Sequence, residues 1–222
     1  MTELEAVPGM LGFTSLLDVP IFNEKKVIFL HIGKTGGFSV EKALGLPPRD
    51  YRKFCPEFLF GVNKGVMVQH ARLPYLEQFM TEPQKKFFKF TIIRNPWDRM
   101  VSAFYYLKPA HLKAFGSFES WLEHKHRSVV SGRWGEGSHF VPQIEYTHKN
   151  GKQIVDKIIR FENLGQEFRR MCRLNGIEAS ELQKLNASRL RDKRLEDYTP
   201  KTRQMVYEMY QTEIEHFGFK YG

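Results

Sequence analysis

The sequence predicts an α/β fold: a single domain with a central parallel sheet flanked by helices. Three observations carry that expectation. The apolar runs at 27–30 and 87–93 each end in a polar turn and pass into a segment of helical spacing. A third stretch, 154–161, alternates poorly but is apolar enough for a strand, and it precedes an amphipathic stretch at 162–175 that closes on Gly176. The chain has 222 residues, which suits one α/β domain with a sizeable core.

Taken in order, residues 1–24 read as an irregular N-terminal arm and 25–222 as the domain. The first strand, 27–30, leads through a turn holding Lys34, Thr35, Gly36 and Gly37 into a helix over 38–44. The run Leu46-Pro47-Pro48-Arg49-Asp50 breaks the pattern, and 49–65 reads as loop. Residues 66–69 are apolar enough for a short strand ending at His70, with a helix expected around 73–80. The strand at 87–93 ends at Arg94; Asn95 is the expected N-cap and Pro96 the first residue of a helix running to 107. A short helix near 118–124 and a polar, glycine-bearing loop follow. Residues 178–198 are highly charged and irregular, and 200–217 fit a last helix. The chain shows no repeats and no low-complexity tract.

The stretch at 27–39, VIFLHIGKTGGFS, carries the strongest chemical signal. A buried strand that breaks into a glycine-containing turn and enters a helix builds an anion cradle from converging backbone N–H groups, and Lys34 adds a full positive charge. The nucleotide-binding pattern G-x-x-x-x-G-K-[ST] needs glycine at position 28, where Ile28 stands, so a standard nucleoside-triphosphate loop is disfavoured. The second stretch, 87–107, reads FFKFTIIRNPWDRMVSAFYYL. In a parallel sheet the carboxyl ends of strands share one crevice, so Arg94 is expected to face the same crevice as Lys34, with Ser102 two helical turns on. Arg94 pairing with Asp98 at the helix start, and Ser102 as a small packing residue, is the plainer alternative.

KTGGFS followed by IIRNPWDRMVSAFYY resembles the paired signature of sulfotransferases that use 3′-phosphoadenosine 5′-phosphosulfate (PAPS), most closely the carbohydrate branch with the uronyl and chondroitin enzymes. The resemblance spans about 27–219 and is strong in the two motifs. It implies a P-loop-like phosphosulfate-binding loop at Lys34, Thr35, Gly36, Gly37, Phe38 and Ser39, and a 3′-phosphate grip from Arg94 and Ser102. Gly33 stands where the family usually has proline, and Phe38 replaces a common threonine, removing one hydroxyl. The resemblance further implies that Arg191 and Lys193, in a basic stretch similar to a loop that closes over the nucleotide, touch the 3′-phosphate. A solvated charge run is the equal alternative there.

In-line sulfuryl transfer needs a base for the acceptor hydroxyl, a cation near the bridging oxygen and clamps on the donor. Lys34 is the natural cation, and an arginine fork suits a phosphate. This logic requires no metal, and the sequence has no metal-ligand spacing. Of eight histidines, His70 lies between the two motifs, and its setting VQHARLPYL resembles that of the base in uronyl-type relatives. His31 reads as structural. His139, in SHFVPQIEY, is the second candidate base, and His139 and Gln143 are expected at acceptor or donor contacts. Glu162, in IIRFENL, reads as a carboxylate favouring a helix N-terminus.

A formal net charge of +9 suits a polyanionic donor and an acidic glycan acceptor. No zinc-finger spacing, RNP-like motif or long basic block points to nucleic acid, and the 19 phenylalanines and 9 tyrosines read as core. The two cysteines, Cys55 and Cys172, form no metal pattern and read as thiols, with one disulfide as the alternative. No apolar stretch reaches membrane-spanning length, and the acidic N-terminus lacks a signal-peptide pattern. That suggests a cytoplasmic, bacterial-type protein, or a Golgi lumenal one if the chain is a trimmed eukaryotic form. Two other functions stay open: a small-molecule or nucleoside kinase of related fold, and a non-catalytic anion- or glycan-binding relative.

Overall fold

The computed structural model describes residues 21–46, 62–63, 66–183 and 195–222. The main sheet has four strands in the order β1 (Ile21–Phe22), β2 (Val27–Leu30), β5 (Phe88–Ile93), β8 (Lys157–Arg160). β2, β5 and β8 are parallel, with Phe29 opposite Phe90 and Ile92 opposite Ile159. β1 runs antiparallel to β2, so the sheet is mixed where a purely parallel one was expected. Ile21 is fully buried and Phe22 nearly so, which draws the end of the expected N-terminal arm into the fold.

β2 is apolar and buried on both faces because helices cover both. Side chains alternate along a strand. Ile28 and Leu30 join one core cluster with Trp97, Met100, Trp121 and Val206, while Val27 and Phe29 join another with Val40, Ile159, Phe168 and Met171. The second face is covered by α1 (Gly37–Ala43) and, later in the chain, by a helix at 164–174. The chain returns after 61 through a separate hairpin, β3 (Val62–Asn63) with β4 (Val66–Met67). A 3₁₀ turn over Val68–His70 follows. His70 therefore sits on a turn beside the sheet and not at the end of one of its strands: residues 66–67 find their partner within the hairpin.

α2 (Leu73–Leu76) is shorter than the helix expected at 73–80, and α3 (Glu82–Lys85) begins with a capping box between Thr81 and Gln84. α4 (Pro96–Tyr106) starts as read, with the Asn95 side chain accepting from the Trp97 N–H and Pro96 in the first turn. α5 (Lys108–Phe115) has no buried residue. α6 (Phe118–Val130) is capped by Ser117 and runs past the expected end at 124. α7 (Ile144–Thr147) precedes the hairpin of β6 (His148–Lys149) and β7 (Lys152–Gln153). A 3₁₀ turn, Phe161–Asn163, leads from β8 to α8 (Leu164–Leu174). α9 (Pro200–Phe217) opens on a Thr199–Thr202 capping box and closes on Gly218 at φ 65°. β5 lies at the centre, so its carboxyl end at Arg94 points into the crevice between the turns that follow β2 and β8.

Candidate active site

The turn after β2 is built around two constrained residues. Lys34 holds φ 70° and Gly36 φ 82°, left-handed conformations that cost a lysine more than a glycine. Thr35 is fully buried and its hydroxyl donates to the Ile32 carbonyl at 2.8 Å. That hydroxyl braces the loop from inside instead of offering a donor to the crevice. Each neighbouring glycine has a packing reason of its own. A Cβ on Gly36 would stand 2.9 Å from the Phe161 ring, and one on Gly37 would collide with the His31 imidazole. Lys34, Gly36, Phe38 and Ser39 are half-buried and line the outer side of the turn. The Lys34 ammonium lies 3.6 Å from the centre of the Tyr106 ring, at the exposed end of α4.

The two stretches singled out in the sequence meet in space. The Arg94 guanidinium donates to the Lys34 carbonyl at 3.0 Å and lies 4.2 Å over the Phe161 ring. Phe161 thus touches both motifs from the end of β8. Behind Arg94 stands Gln143, which is completely buried. Its amide accepts from the Arg94 N–H and donates to the Arg94 carbonyl, both at 2.8 Å. Gln143 also donates to the Glu213 carboxylate through its side chain at 2.8 Å and through its backbone N–H. Its place is therefore one layer behind the crevice, where it fixes the end of β5. Glu213, fully buried on α9, lies 3.7 Å from Arg99, itself fully buried on α4. Burial pushes the Glu213 carboxyl up in pKa, against the pull of Arg99 and the Gln143 donors. Ser102 is half-buried farther along α4. Arg191 and Lys193 lie outside the described residues, as does Cys55; Cys172 is a buried thiol on α8.

Three imidazoles meet edge-on in a row, the first of them just ahead of the 34–39 turn. His31 follows β2, and its Nδ1 lies 2.6 Å from the Glu41 carboxylate on α1, both groups buried. His70 packs edge-on against His31 with ring centres 4.5 Å apart, and against His139 at 4.6 Å. His70 Nδ1 is 2.8 Å from the His31 carbonyl, and its Nε2 is 3.0 Å from His139 Nε2 and 3.0 Å from the Gln69 amide nitrogen. His70 is 3% exposed, whereas His139 is half-buried. Burial, then the charges of the neighbouring imidazoles and Lys34, holds the His70 pKa well below the usual value. Burial and Lys34 likewise lower His139 to about 4. Both rings are neutral at pH 7, the state a proton acceptor needs.

Residue patterns alone did not reveal Glu41, Glu213, Phe161 or Tyr106. Glu213 left a readable sign: it continues the stripe Thr202, Val206, Met209 and Tyr210 that α9 buries, a carboxylate in an apolar face. Glu41 sits beside Val40 on the buried side of α1 in the same way. The described residues contain no cluster of metal-ligating side chains and no helix long and apolar enough to cross a membrane. No curated protein and no solved structure matches the chain. A family model described as the sulfotransferase family matches residues 18–220. That match takes in the cradle, the Arg94 stretch, the histidine cluster and α9, and the chain belongs to the sulfotransferase family.

Proposed function

We propose that this protein transfers the sulfuryl group of PAPS to an acceptor hydroxyl, with a carbohydrate as the acceptor class. The contact between Arg94 and the Lys34 carbonyl carries the reading. It joins the two segments that would hold opposite ends of one doubly phosphorylated adenosine. The backbone of the 34–39 turn takes the phosphosulfate end. Arg94 and Ser102, with Arg191 and Lys193, take the 3′-phosphate. Phe161 gives a flat apolar wall beside Arg94.

The acceptor oxygen attacks sulfur, and 3′,5′-adenosine bisphosphate leaves. Lys34 neutralises the charge that grows on the leaving phosphate. Its resting place over Tyr106 is an exposed cation–π contact worth about 0.5–1 kcal/mol. A charge-assisted bond to phosphate outweighs that contact. His70 is the group on which the acceptor's proton comes to rest, and His139, the more exposed of the two, stands between it and the acceptor. Gln143 acts through Arg94 and touches neither substrate.

Thermal denaturation with ligand tests this reading, since a ligand that binds the native state raises its stability. At a bisphosphate concentration of about 100 Kd the stabilisation is about 2.7 kcal/mol, and ATP with Mg²⁺ should leave the transition unmoved. A shift with ATP and none with 3′,5′-adenosine bisphosphate would move the protein to the kinase class. Sulfate transfer to pooled glycan acceptors then separates an enzyme from a binding protein.

A further inference from the structure

We propose that His70 and His139 work as one proton-relaying pair, and that Gly33 supplies the space in which the second imidazole stands against the first. Hydrogen counting fixes the tautomers of both rings. The His31 carbonyl is an acceptor only, so the 2.8 Å contact places a proton on His70 Nδ1. A neutral His70 then has its lone pair on Nε2. Two ring nitrogens 3.0 Å apart need one hydrogen between them, and with His70 Nε2 bare that hydrogen belongs to His139 Nε2. The Gln69 amide nitrogen, 3.0 Å away, is a second donor to the same lone pair. The ring nitrogen of the pair left with a lone pair is therefore His139 Nδ1. An acceptor hydroxyl cannot reach the His70 lone pair without displacing a donor that already holds it.

The relay balances. The acceptor O–H bond breaks as its oxygen attacks sulfur, and the proton forms a bond to His139 Nδ1. The proton on His139 Nε2 passes to His70 Nε2. His70 ends as an imidazolium whose Nδ1–H is held by the His31 carbonyl, while His139 returns to neutrality with its proton on the other nitrogen. Release of the extra proton to solvent runs the same path backwards through the more exposed ring.

Gly33 fits this arrangement. A Cβ there would stand 2.6 Å from His139 Cδ2 and 2.9 Å from its Cγ. Real Cβ contacts are not that short, so any side chain at 33 pushes the His139 ring off His70. Residue 33 also precedes the cradle lysine, so the loop that places Lys34 and the loop that places His139 are set against each other. The groups facing the pair are His31 with its Glu41 partner, Lys34, the Arg99 guanidinium on the His139 carbonyl, Gln69, and the Tyr146 hydroxyl on the His70 carbonyl.

The test is His139→Gln. A glutamine amide can still donate to His70 Nε2, but it cannot accept one proton while giving another. The turnover number should fall at least about 100-fold, as for loss of a general base. Imidazole NMR gives a readout that does not depend on turnover. In the wild type the two rings titrate as a coupled pair with two macroscopic steps. In His139→Gln, His70 should show one step moved upward by about one pH unit, because a neighbouring positive ring no longer opposes its charge. Gly33→Ala should reproduce the turnover loss while leaving affinity for 3′,5′-adenosine bisphosphate in place. Wild-type turnover in His139→Gln, or an unmoved His70 titration, overturns the relay. The proposal deepens the sulfotransferase reading for its kinetic arm only. If the wild type transfers no sulfuryl group, that reading fails, and the NMR arm still decides whether the rings are coupled.

Discussion

Gly37 shows how one residue can be tied to two tasks. A turn that cradles an anion favours glycine because the backbone must come close to the ligand. Here the His31 ring occupies the space where a side chain would sit. Gly37→Ala therefore overpacks a buried site, and a loss of about 1–3 kcal/mol is expected, read as a lower midpoint in urea denaturation. Lys34→Ala should behave in the opposite manner. It removes a side chain from a half-buried position with a left-handed backbone, so stability should change little. The turnover number should drop about 100- to 1,000-fold, the usual cost of losing a preorganised electrostatic group. Steady-state kinetics and a denaturation curve on the same preparation separate the two effects. Thr35 is the residue whose role the sequence suggested least well. Its letter in the motif implies a ligand hydroxyl, but only the three-dimensional turn shows that hydroxyl spent on Ile32.

At the scale of elements, what was readable depended on how local the cause is. The start of α4 at Asn95-Pro96 and the whole of α9 follow from capping residues a few positions apart, and both were visible in the letters. The strand at 88–93 was visible because a largely buried strand is rich in apolar residues, here Phe88, Phe90, Ile92 and Ile93. The pairing of 66–67 was not visible, since a short apolar run does not say which partner it takes. α5 was missed for a different reason: it buries no residue, so no apolar stripe marks it. In the candidate site, Lys34, Arg94, His70 and His139 were the residues the sequence singled out, and the structure pairs Arg94 with Lys34 and His70 with His139; the supports behind them were not readable. Glu213 is the clearest case. It accepts from Gln143 and Ile144 and faces the Arg99 guanidinium at 3.7 Å, and so ties α9 to the end of β5 through partners about 70 positions or more away. Glu213→Ala would leave Arg99 buried without its carboxylate. Removing one partner of a buried pair costs about 3–5 kcal/mol, and chemical denaturation should show a loss of that order. Because Gln143 holds both backbone groups of Arg94, the same variant should also weaken binding of 3′,5′-adenosine bisphosphate by calorimetry.

For the whole molecule, the buried histidines make stability depend on pH in a definite direction. His70 and His139 have folded-state pKa values below the ordinary histidine value of 6.5. Below pH 6.5 the unfolded chain binds protons at these positions more readily than the native protein does. Stability therefore falls as pH drops from about 6.5 toward about 4, where His139 titrates in the native state. Glu213 works the other way, since its raised carboxyl pKa favours the native state below its own titration. It is one group against His70, His139 and also His148, whose pKa burial and His216 lower, so the histidine slope should dominate the upper part of that window. The His139→Gln protein removes one titrating ring and the repulsion on the other. Its melting temperature should decline less than that of the wild type between pH 7 and pH 5, in buffers matched for ionic strength. Parallel declines in the two proteins would mean that His139 already titrates normally in the native fold, and that the packing of Gly33 against its ring does not keep the imidazole neutral.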